Sequence, residues 1–286
     1  MTDDRTGKLN KLKALLHHYE KIAVACSGGV DSTFLLKVAC DELGDGALGL
    51  TVQSPTVTED DLKDVQAFYR ASGVPFAIVR LNQLDTPFFR HNSPTRCYVC
   101  KTIEFTSMAK EAQKRGFKWI AAGINADDAG DYRPGLRALD EIGVVSPLKE
   151  AGLSKSDIRY FSRQYHLKTW NKPAGSCLAS RIQYGEHITQ EKLDKISAAE
   201  KVLKSYHLKY VRVRYHHGNI ARIEVGPEER QFFFSTEVMD DVAEKFKRIG
   251  FSYTTLDLNG YRSGSMNEVL NEKIKNRVKM SSYGSR

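Results

Sequence analysis

The hexapeptide Ser27-Gly28-Gly29-Val30-Asp31-Ser32 constrains this chain more than any other stretch. It follows an apolar run, Ile22-Ala23-Val24-Ala25-Cys26, and precedes the helical pattern Thr33-Phe34-Leu35-Leu36-Lys37-Val38. The order is strand, tight turn, helix. Paired glycines let a backbone approach a ligand closely, and two serine hydroxyls with a helix N-terminus add donors, a combination that suits phosphate. A turn merely capped by Asp31 or Ser32, in a protein that binds nothing, looks the same. The hexapeptide is neither a lysine-bearing GxxxxGKS/T loop nor a GxGxxG turn, which disfavours P-loop kinases and dinucleotide oxidoreductases.

Strands and helices go on alternating on either side of the hexapeptide, with no internal sequence repeat. A helix over Lys8 to Glu20 leads in, and strands Ala47-Leu48-Gly49-Leu50-Thr51-Val52 and Phe76-Ala77-Ile78-Val79 flank a helix over Leu62 to Ala71 that starts from Thr58-Glu59-Asp60-Asp61. Such β-α-β-α-β order predicts an α/β domain with a parallel sheet, right-handed crossovers and ligands at the carboxyl ends of the strands. A fourth strand, Trp119-Ile120-Ala121-Ala122-Gly123, carries Asn125, Asp127, Asp128, Asp131, Tyr132 and Arg133 at its end. Carboxylates there suit Mg²⁺ on ATP oxygens, or form an ordinary solvated loop. Val144-Val145-Ser146-Pro147-Leu148 reads as a short fifth strand, and Ser154-Lys155-Ser156-Asp157 opens a helix running to about Tyr165.

With 286 residues the chain has room for two domains, and the boundary is expected where small residues crowd the stretch 172–185: residues 1–175, then 176–286. Beyond it the pattern becomes α-β-β-α-β, a smaller α+β domain with helices over Gln190 to Ser205 and Thr236 to Ile249. Alternation in Tyr210-Val211-Arg212-Val213-Arg214-Tyr215 sets Arg212 and Arg214 on one face, a solvated edge or a fork for a bound phosphate. Ser263 to Arg286 reads as a weak helix and loose tail.

A formal charge of +8 favours acidic ligands without choosing among them. No apolar stretch reaches membrane-span length and Met1 to Asn10 has no signal-peptide core, so the expected location is the cytoplasm. Five cysteines in such a compartment are poor disulfide candidates. Cys26 and Cys40 fall on apolar faces and read as core. Cys97-x-x-Cys100 lies where a proline-bearing loop enters a helix over Thr102 to Lys114. Two semi-buried thiols or part of a metal site both fit it.

SGGVDS resembles the PP-loop of the ATP pyrophosphatases, the adenine nucleotide alpha hydrolase-like fold. Together with GINADDAGDYRPG, GSCLASRIQYG and YVRVRYHHGNIARIEV, in this order, it makes nearly the whole chain similar to the LarE family of PP-loop sulfur transferases, which build the nickel-pincer nucleotide cofactor. The resemblance implies adenylation of a pyridinium biscarboxylic acid mononucleotide by ATP and Mg²⁺, then exchange of AMP for sulfur. It implies that Ser27, Gly28, Gly29, Asp31 and Ser32 hold ATP phosphates, with Asp31 catalytic; that Arg212 and Arg214 hold the substrate phosphate; and that Ser180, Arg181 and Glu200 line the pocket. Cys97, Cys100 and Cys177 together resemble the subgroup whose three thiolates hold a 4Fe-4S cluster with one open iron. Zinc and a sacrificed Cys177 stay open as alternatives. The resemblance also implies a homo-oligomer and names no sulfur donor. A tRNA thiolase, an ammonia-using adenylating ligase and a non-catalytic nucleotide-binding regulator are the rival readings, and no clear RNA-binding module supports the first.

Overall fold

In the computed structural model, which describes residues 2–128, 134–173, 175, 177–262, 264–268 and 270, each predicted strand of the first half becomes a strand of one sheet, with one exception given below. The elements in chain order are α1 (Thr2–Tyr19), β1 (Ile22–Ala25), α2 (Val30–Leu43), β2 (Ala47–Gln53), α3 (Glu59–Ser72), β3 (Phe76–Arg80), the turn α4 (Pro87–Arg90), α5 (Arg96–Lys114), β4 (Trp119–Ala122) and α6 (Pro134–Ile142). After the turn α7 (Pro147–Glu150) come α8 (Lys155–Gln164), α9 (Gln190–Lys204), β5 (Val211–His216), β6 (Ile220–Val225), α10 (Thr236–Ile249) and β7 (Tyr253–Leu256).

The chain divides into two units, Met1–Asn82 with Cys97–Gly175, and Gln83–Arg96 with Ser176–Arg286. The first holds a four-stranded sheet of order β3-β2-β1-β4, parallel throughout, with Ile22 in register with Ala47 on one side and Trp119 on the other. It is an α/β fold. Residues alternate between its faces, which are both covered. Ile22 and Val24 pack with Leu12, Leu16, Phe34, Leu35, Leu148 and Phe161 beneath α1, α2 and α8, while Ala23, Leu48, Leu50 and Ile120 pack with Phe105, Met108 and Leu139 of α5 and α6. A buried side chain such as Phe34 contributes about 1.5–3 kcal/mol.

The expected fifth strand is a correction. Val145 makes a single parallel bridge to Ala121, after which the chain turns into α7. Pro147 has no N–H to give a ladder and suits the first helical turn where it sits.

The second unit is built on the sheet β5-β6-β7, antiparallel between β5 and β6 and parallel between β6 and β7. Chain order alone, dividing at residue 175, gave no sign that Gln83–Arg96 belongs with it. Buried Asn92 accounts for the assignment, since its side-chain amide donates to the carbonyls of Ile182, Gln183 and Glu186 at 3.2, 2.8 and 3.0 Å. Arg96 then reaches the Ala179 carbonyl at 3.1 Å and lies over the Tyr184 ring. Asp131, Tyr132, Arg133, Ser263 and the tail 271–286 lie outside the described residues.

Candidate active site

The chain runs from β1 outward through β2 to β3, then returns to place β4 on the other side of β1. The crevice at the carboxyl ends of β1 and β4 is thus where the order reverses, the place at which open parallel sheets bind ligands. SGGVDS leaves β1 there. Gly28 has φ +74°, a left-handed conformation that few other residues adopt at low cost, and a Cβ on it would lie 2.4 Å from Val65 Cγ2. Ser32 Oγ accepts from the Ser27 N–H and contacts Ser27 Oγ, both at 3.2 Å, which closes the turn upon itself before α2.

Asp31 stands in the first turn of α2. Its Oδ2 takes the Lys155 ammonium at 2.5 Å, whereas Oδ1 is buried with no hydrogen-bond partner among the described residues. A buried carboxylate oxygen left unmatched is costly and calls for a donor or a cation. Magnesium fits that position by chemistry, since it favours one or two carboxylates plus phosphates. Asp127 and Asp128 do other work here: Asp128 accepts the Asn125 N–H at 3.0 Å, and Asp127 accepts the Lys155 N–H at 2.8 Å, fixing the start of α8.

Two residues here escaped the sequence reading. Gly123, at the end of β4, lies so close to the motif that a Cβ would sit 2.7 Å from the Ser32 nitrogen. Lys155 was legible only as part of a helix start, which it is: Ser154 caps α8 and Asp157 returns the bond, forming a capping box. Its approach to Asp31 joins positions 124 apart in sequence, which no local pattern encodes.

The helix α5 begins at Arg96, so Cys97 and Cys100 lie within the start of the helix instead of before it. Cys97 is exposed and Cys100 is buried, its thiol donating to Glu104 Oε1 at 3.3 Å while Glu104 Oε2 takes Lys101 at 2.6 Å. Among the described residues no three His, Cys, Asp or Glu side chains form a metal-holding group. The three-thiolate set expected from the sequence is therefore represented by two thiols one turn apart in the first unit, with Cys177 in the second. Burial pushes the Cys40 thiol up to about 12 and also raises that of Cys26, which keeps both protonated and inert.

In the second unit Cys177 precedes a single helical turn, Leu178–Arg181, and its carbonyl accepts Ser180 Oγ at 2.7 Å. Arg181 pairs with Glu200 at 2.8 Å, both buried, and Glu200 also accepts the Val213 N–H at 3.2 Å. Arg214 pairs with Glu224 at 2.7 Å and donates to Ser265 Oγ at 3.1 Å. The arginine face of β5 is accordingly buried in an acid-base network instead of facing water, and Arg214 is committed within it. Arg212 differs: its guanidinium lies over the Tyr261 ring at 5.3 Å and donates to the Val211 carbonyl. Burial first, then the charge of Arg181, pulls its pKa below the ordinary value. An anion alongside would relieve both effects. Tyr261, Glu224 and Ser265 carried no sequence signal, because their parts depend on strand pairing and the return of a distant loop.

No family model matches the chain. It is 40% identical over 264 residues to an uncharacterised protein of Synechocystis sp., covering 92% of this chain and 98% of that one. It is 36% identical to the pyridinium-3,5-bisthiocarboxylic acid mononucleotide synthase of Lactiplantibacillus plantarum, over 91% of this chain and 93% of that protein. A glutamine-hydrolyzing GMP synthase chain of Thermoplasma volcanium is 27% identical over 64% of this chain and 63% of its own length. No helix among the described residues is long and apolar enough to cross a membrane. The extent of the second likeness, over a sheet that presents SGGVDS at its reversal point, shows that the chain belongs to the LarE family of PP-loop enzymes.

Proposed function

We propose that the protein is an ATP-dependent sulfurtransferase that converts carboxylates of pyridinium-3,5-biscarboxylic acid mononucleotide to thiocarboxylates. The observation that carries the reading is the near full-length likeness to the synthase of that product, joined to a phosphate-type turn at the sheet's reversal point. In the first step a substrate carboxylate oxygen attacks the α-phosphorus of ATP, the bond to pyrophosphate breaks, and an acyl adenylate forms. Ser27, Gly28, Gly29 and Ser32 hold the phosphates through hydroxyls and backbone N–H groups, with Asp31 directing the counter-ion. A sulfide-level sulfur nucleophile then attacks the acyl carbon, the bond from that carbon to the AMP oxygen breaks with its electron pair passing to AMP, and AMP leaves, a far better leaving group than oxide.

In the second unit Arg212 is the proposed contact for the substrate's own phosphate, with Arg214, Ser180, Arg181 and Glu200 holding the surrounding network in shape. Cys97, Cys100 and Cys177 are the proposed sulfur-handling thiols. Their number suits a 4Fe-4S cluster with an open iron. Two thiols on one turn also suit other metals. Equal iron and sulfide in anaerobically purified protein is the expected result, and zinc or neither would remove the cluster. A cytoplasmic homo-oligomer is part of the same proposal.

The decisive experiment is Cys177→Ala with ATP, Mg²⁺ and the biscarboxylate. Pyrophosphate release should persist while thiocarboxylate disappears. Thiocarboxylate formed by the mutant would end the assigned sulfur role, and pyrophosphate that does not depend on the carboxylate would end the adenylating reading.

A further inference from the structure

We propose that Lys155 is the cation of the phosphate site, supplying from α8 the charge that this glycine-serine loop lacks in its own sequence. The inference rests on the adenylating reading and deepens it. Residues 27–32 bring two hydroxyls and a carboxylate to the turn but no lysine or arginine. Departure of pyrophosphate builds negative charge on its bridging oxygen, and positioned cations are what stabilise that charge in phosphoryl-group chemistry.

Lys155 is built for the task from both ends. Its backbone is fixed: the N–H is bound to Asp127, the preceding Ser154 caps the helix, and Asp157 of the same turn is held by Arg5 at 2.9 Å and Lys8 at 3.3 Å from α1. Its ammonium is not. Among the described residues Nζ meets Asp31 alone, and the side chain is 34% exposed. A pair of this exposure adds little to stability, about 0–1 kcal/mol. Lysine is a point charge on a flexible stem, so it exchanges one anion for another without moving the helix.

Among the described residues of the same unit, two other lysines meet carboxylates outside the turn. Lys172 sits between Asp61 and Asp64, at 3.1 Å from each, and Lys37 pairs with Asp41 one turn along α2. Lys155 therefore donates to a pyrophosphate oxygen of ATP. As the carboxylate oxygen bonds to the α-phosphorus, the electron pair of the breaking bond passes to that pyrophosphate group, and the lysine keeps its proton throughout.

The test uses the full chain with Lys155→Met and Lys155→Arg, measuring pyrophosphate release and its inhibition by added pyrophosphate and by AMP. Lys155→Met should lower kcat/KM for ATP roughly 10- to 100-fold and weaken inhibition by pyrophosphate about tenfold. Inhibition by AMP should stay within about twofold, Lys155→Arg should recover most of both losses, and the melting temperature should stay near that of the parent. Wild-type inhibition by pyrophosphate in Lys155→Met, or equal weakening for pyrophosphate and AMP, would overturn the assignment. If the parent protein releases no pyrophosphate the adenylating reading itself has failed, and direct calorimetry of pyrophosphate binding to parent and Lys155→Met still decides the role of the lysine.

Discussion

Asp31 in the first unit and Glu224 in the second are carboxylates of opposite circumstance. Glu224 is fully buried, yet both oxygens are met: Arg214 at 2.7 and 3.0 Å, Ser265 at 2.9 Å and Arg222 at 3.2 Å. Asp31 is less buried, yet one oxygen meets a single flexible lysine and the other meets nothing among the described residues. A saturated network of this kind gives a sheet its shape. A buried carboxylate oxygen with no partner among the described residues, beside a phosphate-type turn, is a place for a donor or a cation. Residue type alone does not separate the two cases, and the comparison teaches that the second unit's arginines should be ranked by what already holds them.

The largest effect that would break this comparison is on folding. Arg214→Ala leaves Glu224 buried beside a lost partner and should destabilise the second unit by about 3–5 kcal/mol. Arg212→Ala should cost less, about 1–2 kcal/mol, through the lost contact over Tyr261 and the lost bond to the Val211 carbonyl. Its loss should appear instead as a raised KM for the mononucleotide. Urea unfolding of the two variants checks this, and equal destabilisation would show that both arginines are structural. Next in size, Asp31→Ala should leave unfolding nearly unchanged while lowering pyrophosphate release roughly 10²- to 10³-fold. A rate within tenfold of the parent would mean that the unmatched oxygen has no part in the reaction.

How much of this was legible beforehand differs between the units in the same sense. The strands and helices of the parallel sheet were readable because buried strands are continuous apolar runs and helices announce their caps, as Thr58 and Ser154 do. The phosphate turn was readable because glycine pairs have few other uses. The arginine network was not, since Arg212 and Arg214 look equivalent along β5 until Glu224 crosses from β6 and Ser265 returns from beyond β7. Lys155 and Gly123 were missed for the same reason, being brought to the turn by the topology and by no local pattern.

Gly123 offers a finer probe of the first unit. Gly123→Ala places a methyl 2.7 Å from the Ser32 nitrogen and 2.9 Å from its Cα, both backbone, so the motif itself must shift. ATP affinity should fall by about tenfold, as expected when phosphate donors are displaced by a fraction of an ångström. Calorimetric titration with ATP checks it, and unaltered affinity would show that the turn tolerates displacement and that its closed geometry is not what binds phosphate.

The smallest effect tests whether the second unit's network also excludes a proton. His216 lies on β5 with Nδ1 against Gln183 Oε1 at 2.8 Å and Nε2 buried without a partner among the described residues. Burial first, then the charges of Arg222 and Arg214, lowers its pKa from 6.5, with Glu224 opposing. Because the folded value lies below the unfolded one, the unfolded chain takes up the proton first as pH falls. The stability that neutral His216 contributes is thus complete above about pH 6.5 and is lost as pH falls through the lowered folded value. Unfolding measured at about pH 7.5 and pH 5.5 should show a modest loss that His216→Gln removes, since glutamine keeps a polar contact to Gln183 and cannot titrate. An identical loss in the variant would place the titrating group elsewhere and leave the arginine network indifferent to added charge.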